Sequence, residues 1–201
     1  MQKEIAGFGD NAQATLQANV TAPEGMGIEG YYHVVCRDAE GNVKWEDQFP
    51  NLVVAVGKQL MLDTLLSGTS YTTVGPFLGL ISGSSSTYSA SDTMSSHGGW
   101  TEFTNYTVGG SAVRGTASFG SATSSGTTPT NVTTKTATAI TYTITGAGGT
   151  VGGCFLVTGS GASSTQGNTS GTLYSAGSFS TAKVTTAGDT VSVTYSTTAT
   201  S

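Results

Sequence analysis

The stretch GPFLGLISGSSSTYSASDTMSSHGGWTEFTNY, Gly75 to Tyr106, holds the pattern on which the fold turns. Phe77-Leu78-Gly79-Leu80-Ile81 is a short apolar run bounded by proline and glycine, the signature of a buried strand. A Ser/Thr-rich loop over 83–99 follows, and a second strand starts near Trp100. Such a loop is long for a compact domain, so it is either functional or packed onto a partner.

Outward from this stretch the same strand chemistry recurs. Ala137 to Thr145 alternates, with Ile140, Tyr142 and Ile144 on one face and threonines on the other, and Thr190 to Ser196 repeats the pattern with Val191, Val193 and Tyr195. Threonine suits a pleated half-exposed surface, so these segments predict a sheet with a hydroxylated outer face. Further strands are expected at Ala112 to Phe119, Gly153 to Thr158, Thr172 to Ser175 and Phe179 to Val184, with loops at Ser121 to Pro129 and Gly159 to Gly171. Upstream, Tyr31 to Arg37 and Val43 to Phe49 flank the turn residues Asp38-Ala39-Glu40-Gly41-Asn42, which predicts a hairpin with Val43, Trp45 and Phe49 inward.

One segment reads differently. Leu52 to Leu66 has the length and the Leu, Met, Lys and Gln content of a helix, with Asn51 as its cap and Gly68 as its stop. Its apolar residues, among them Val56, Leu60, Met61, Leu62, Leu65 and Leu66, wrap most of the circumference, so a sheet or a neighbouring chain should cover it. Residues 1–30 show no sustained period and read as an extended N-terminal arm. The expected architecture is mainly β: an antiparallel β-sandwich, jelly-roll-like, of about nine strands with one short helix, spanning 31–201 behind the arm.

Composition narrows the function. Only 9% of residues are charged, against about a quarter in ordinary globular chains, so solubility rests on Ser, Thr, Gly and Asn. A net charge of -5 without a Lys/Arg cluster argues against a nucleic-acid partner. No apolar run reaches membrane length and Met1-Gln2-Lys3-Glu4 opens no signal peptide, which predicts a protein made and kept in a cytoplasm, with no membrane partner. Cys36 and Cys154 lie far apart in apolar segments and read as small buried hydrophobes, with a disulfide as the alternative. The N-x-S/T triplets at Asn19, Asn105, Asn131 and Asn168 are of a kind that chance supplies in so hydroxyl-rich a chain.

Chemistry-bearing candidates are few. His97 with Asp92 and Glu102 could suggest a metal site or a base with an orienting carboxylate, yet the spacing matches no ligand motif. The plainer reading makes Asp92 a turn cap and packs His97 and Trp100 into the loop, with Gly98-Gly99 permitting the bend. Tyr88, Trp100 and Tyr106 could instead form a carbohydrate platform. No nucleophile elbow, phosphate loop or zinc motif occurs, so no catalytic, cofactor or metal residue is assigned and the chain is expected not to be an enzyme.

The order of certain residues carries a family likeness. Asp38-x-x-Gly41, Asn51-Leu52-Val53, Gly79-Leu80-Ile81, Ala90-Ser91-Asp92-Thr93-Met94, Ser96-His97-x-Gly99-Trp100-x-Glu102, Tyr106, Arg114, Gly171-Thr172-Leu173-Tyr174 and Ala187-Gly188-Asp189-Thr190-Val191 together resemble small structural proteins of tailed bacteriophages. The resemblance implies a virion component, foremost a capsid cement or decoration protein on the capsid surface, made in the host cytoplasm. The alternatives are a tail or fibre-associated subunit, or a carbohydrate-binding host-attachment module. The partners then expected are the major capsid protein and copies of the chain itself, in a homo-oligomer such as a trimer. Residues 1–30 and the 83–99 loop would be the clasps, ordering when docked.

Overall fold

The computed structural model describes residues 27–67, 74–83, 86–125 and 132–200. Among these, thirteen strands and one helix follow in chain order: β1 (Gly27–Arg37), β2 (Val43–Pro50), β3 (Leu52–Val53), α1 (Ala55–Leu66), β4 (Phe77–Ser82), β5 (Thr101–Phe103), β6 (Tyr106–Thr107), β7 (Gly115–Thr116), β8 (Thr123–Ser125), β9 (Val132–Thr136), β10 (Ile140–Ile144), β11 (Gly149–Thr158), β12 (Thr172–Thr185) and β13 (Thr190–Thr200). They form two antiparallel sheets, so the expected mainly-β sandwich with one helix is what the chain adopts.

The first sheet runs β2-β1-β13-β10-β6, with β9 beside the far half of β13 and β8 on its edge; the second runs β3-β12-β11-β4-β5, with β7 also on β4. Neighbours come from distant parts of the chain: β1 aligns with β13 over their whole lengths, from Gly27 opposite Thr200 to Arg37 opposite Thr190. The alternation read in the sequence is the reason. Ile140, Tyr142, Ile144, Val191, Val193 and Tyr195 point inward, while Thr141 and Thr143 stay exposed.

Two cores result. Between the sheets, Tyr32, Val34, Phe49, Tyr142 and Val193 meet Leu78, Leu80, Cys154 and Leu156. On the outer face of the second sheet, Ile81, Phe155, Val157 and Leu173 are covered by Val54, Met94, Trp100 and Ala162. That second layer explains why Phe77 to Ile81 and Gly153 to Thr158 are continuous apolar runs, since both faces of β4 and β11 are dry.

Several boundaries differ from the sequence reading, each for a physical reason. The first strand begins at Gly27, so residues 27–30 belong to the sheet, and residues 1–26 of the expected arm lie outside the described residues. Val43 is half exposed: a bulge after Cys36 sets it opposite outward-facing Arg37. The two strands expected between Thr172 and Val184 merge into one, β12 (Thr172–Thr185), and Thr123–Ser125 is a strand within the expected loop Ser121 to Pro129. Ala112 to Phe119 yields only the two-residue β7.

The helix is shorter than expected. Leu52 and Val53 pair with Ala176 and Ser175, and extended Val54 occupies the cap position with no side-chain bond. The helix's opening amide is satisfied from outside, Ala55 N–H donating to the Ala90 carbonyl at 2.8 Å. Asn51 does not cap; its amide donates to the Tyr195 hydroxyl at 3.0 Å. Gly68, the expected stop, lies outside the described residues, and Ser67 N–H closes the last turn on Asp63. Gly57 is the buried residue of α1, because a Cβ there would sit 2.5 Å from the Tyr174 carbonyl; its absence lets the helix lie on β12.

Candidate functional site

The residues singled out for chemistry do not converge. Asp92 accepts from Ser89 N–H at 3.1 Å and from Trp100 Nε1 at 3.4 Å, tying the loop into a turn. His97 stacks on Trp100 at a ring separation of 3.8 Å and donates from Nδ1 to the Trp100 carbonyl at 3.1 Å. Glu102 points away, to Arg114. Among the described residues no three His, Cys, Asp or Glu side chains come together as a metal site would need.

The carbohydrate platform does not exist at the residues expected to form it. Trp100 and Tyr106 are only 5% and 1% exposed, the first in the outer core and the second between the sheets. Tyr88 is partly buried against the outer core and donates to the Gly177 carbonyl at 3.1 Å; burial pushes its hydroxyl up to about 12. The Trp100 and Tyr106 rings are wall material, out of reach of a sugar. The same packing lays residues 86–99 of the loop expected to be a clasp onto the chain's own second sheet, with Met94 buried there.

The strongest polar feature was not legible as a pair. Arg114, 1% exposed, donates to both carboxylate oxygens of Glu102 at 2.9 and 2.7 Å and to the carbonyls of Ser163 and Asn168 at 3.1 and 2.7 Å. Its guanidinium lies 5.1 Å from the Phe155 ring centroid. Glu102 also accepts from Gly167 N–H at 2.7 Å. With its donors engaged by protein oxygens, this clamp fastens the loop between β11 and β12 to the second sheet and offers little to a ligand.

The cysteines are free and buried. Burial and the neighbouring Asp189 carboxylate push the Cys36 thiol up to about 11, and burial raises Cys154 further. Both are poor nucleophiles. Burial alone would raise Asp189, but Lys44 Nζ at 2.6 Å and Thr186 N–H at 2.8 Å outweigh it and hold the carboxyl below its usual range. Of the N-x-S/T triplets, Asn105 donates to the Gly148 carbonyl and Asn168 Oδ1 accepts from Ser170, while Asn19 and Asn131 lie outside the described residues.

Two surfaces remain. The outer face of the first sheet carries Thr141, Thr143, Ser192, Thr194 and Ser196 beside His33 and Glu46, the last two paired at 2.7 Å. At the other end of the sandwich, α1 and the overhanging first sheet enclose an open groove of about 340 Å³ walled by Leu60, Met61, Leu65, Phe119, Tyr174 and Tyr195. The hydroxyls along it are engaged: Tyr174 donates to Met61 Sδ, Thr64 to the Leu60 carbonyl, Thr197 to the Glu29 carbonyl, and Tyr195 accepts from Asn51. The apolar surface continues out of the groove along α1, where Leu62, Leu65 and Leu66 are 49%, 70% and 79% exposed. Among the described residues, the helix expected to be covered is thus covered on one side only. No helix among the described residues is long and apolar enough to cross a membrane.

No family model, curated protein or solved structure matches the chain.

Proposed function

We propose that the chain is a structural subunit of a tailed-bacteriophage particle, a cement or decoration protein that binds the capsid exterior and acts without catalysis. The observation that carries this reading is the leucine patch on α1. Three large aliphatic side chains stand in solvent on a low-charge sandwich whose buried charges are satisfied internally. Exposed apolar surface of this kind marks a docking face. Repeated by capsid symmetry, modest contacts of this kind add up to strong attachment.

The resemblance in residue order supplies the partner class, and the fold supports a mechanical role. Two cores and a clamped loop make a rigid wedge, so docking costs little ordering entropy. Copies of the chain are the other partner that the leucine patch fits.

Purified full-length chain mixed with heads lacking it tests the reading. Saturable co-sedimentation at a copy number set by capsid symmetry is the expected result, weakened by Leu62→Asp together with Leu66→Asp. Absence of binding to heads contradicts it, and binding to tails alone moves the protein to the tail.

A further inference from the structure

We propose that the groove between α1 and the open end of the first sheet is the seat of the chain's own residues 1–26, whose apolar side chains fill it. The placement goes beyond the particle reading and does not depend on it.

The groove's chemistry selects the kind of occupant. Its walls are hydrocarbon and aromatic, and the hydroxyls of Thr64, Tyr174 and Thr197 already donate to protein partners. A polar small molecule would forfeit its hydrogen bonds to water there and gain few in return. Aliphatic and aromatic side chains would lose nothing. Among the described residues, the cation on the wall is Lys135, whose ammonium donates to the Gly120 carbonyl at 2.9 Å and has three hydrogens to give.

Chain geometry and charge then pick the segment. Gly27 opens β1, and Gly30, three residues on, is the register partner of Thr197, which lines the groove. The segment before Gly27 therefore enters the described fold about 10 Å from that wall. Its 26 residues could reach about 80 Å if extended, far more than the return requires. Tethering of this length holds the segment at an effective concentration on the order of millimolar. It carries Ile5, Phe8, Leu16 and Val20 as large apolar residues, and Lys3 is outnumbered by Glu4, Asp10 and Glu24, which complements Lys135.

The test uses the full-length chain with photoreactive benzoylphenylalanine in place of Leu65, a groove residue exposed enough to accept it. Equal amounts of ¹⁵N-labelled and unlabelled protein are mixed, irradiated and mapped by mass spectrometry. The expected product has monomer mass and joins position 65 to a peptide within 1–26. Either Ile5→Ser with Phe8→Ser, or Leu16→Ser with Val20→Ser, should lower its yield about tenfold, the loss that follows removal of a buried Leu-sized side chain. A circular-dichroism spectrum of each double variant that matches the parent's removes unfolding as the cause of a lost signal. Crosslinks confined to residues 27–201, mixed-label dimers that place a second copy in the groove, no crosslink, or yields indifferent to both double variants would each overturn the proposal.

Discussion

Replacing Arg114 with methionine removes a guanidinium that is almost wholly out of solvent and keeps an apolar stem against Phe155. What remains is the Glu102 carboxylate, its side chain 7% exposed, with Gly167 N–H as its remaining donor, and two carbonyls, Ser163 and Asn168, that have lost theirs. Breaking a buried pair by deleting one partner costs about 3–5 kcal/mol, because the surviving charge stays desolvated. At a urea slope of about 3 kcal/mol per molar, the unfolding midpoint should fall by about 1 M or more. Glu102→Leu alone should cost a similar amount, since it strands the guanidinium. The double variant Arg114→Met with Glu102→Leu removes both charges and leaves only neutral backbone groups unpaired, at about 1 kcal/mol apiece. It should therefore be clearly more stable than the sum of the single losses allows. Urea titrations followed by circular dichroism on the three variants measure this coupling. A single Arg114→Met variant within 1 kcal/mol of the parent, or strict additivity in the double, refutes the clamp as a coupled buried pair.

Burial holds the hydroxyls of Tyr32, Tyr106, Tyr142 and Tyr195 above their ordinary range. The unfolded chain's tyrosines ionise first, near pH 10, so stability should be intact below that and fall as pH rises beyond it; a urea midpoint unchanged from pH 8 to 11 contradicts this. Gly57→Ala should gain about 1 kcal/mol of helix propensity and lose about 1–3 kcal/mol by driving a Cβ against the Tyr174 carbonyl, for a net loss in thermal stability; a stabilised variant would show that α1 does not lie so close to β12. Cys36 and Cys154 should resist a thiol-reactive dye in native buffer and react at once in denaturant; rapid labelling of the folded protein would mean the inter-sheet core opens.

Much of the sandwich was legible because threonine alternates with large apolar residues at Ile140 to Ile144 and at Val191 to Tyr195, and a period of two admits only a half-buried strand. The helix start was not. Leu52-Val53-Val54 fits either pattern, and only the free edge of β12, remote in sequence, decides that it pairs as a strand. The outer core was hidden for a related reason: Met94 and Trp100 are isolated apolar residues in a Ser/Gly-rich loop, so the segment read as a clasp or a sugar platform when its burial comes from folding back on β4 and β11. Arg114 and Glu102 were visible as rare charges, but a separation of twelve positions with no helical period gives no sign that they meet. The groove beside α1 was foreshadowed by a helix too apolar for its length, although which side stays uncovered depends on Gly57.

A cryo-EM map of a tailed-phage particle that carries the chain, as the proposed function requires, tests that proposal most directly. The account predicts the two-sheet density at symmetry-related positions on the outer capsid surface, with Leu62 and Leu66 of α1 turned toward the shell or a neighbouring copy. A particle without that density on head or tail, or one in which the leucine patch faces solvent, would contradict it.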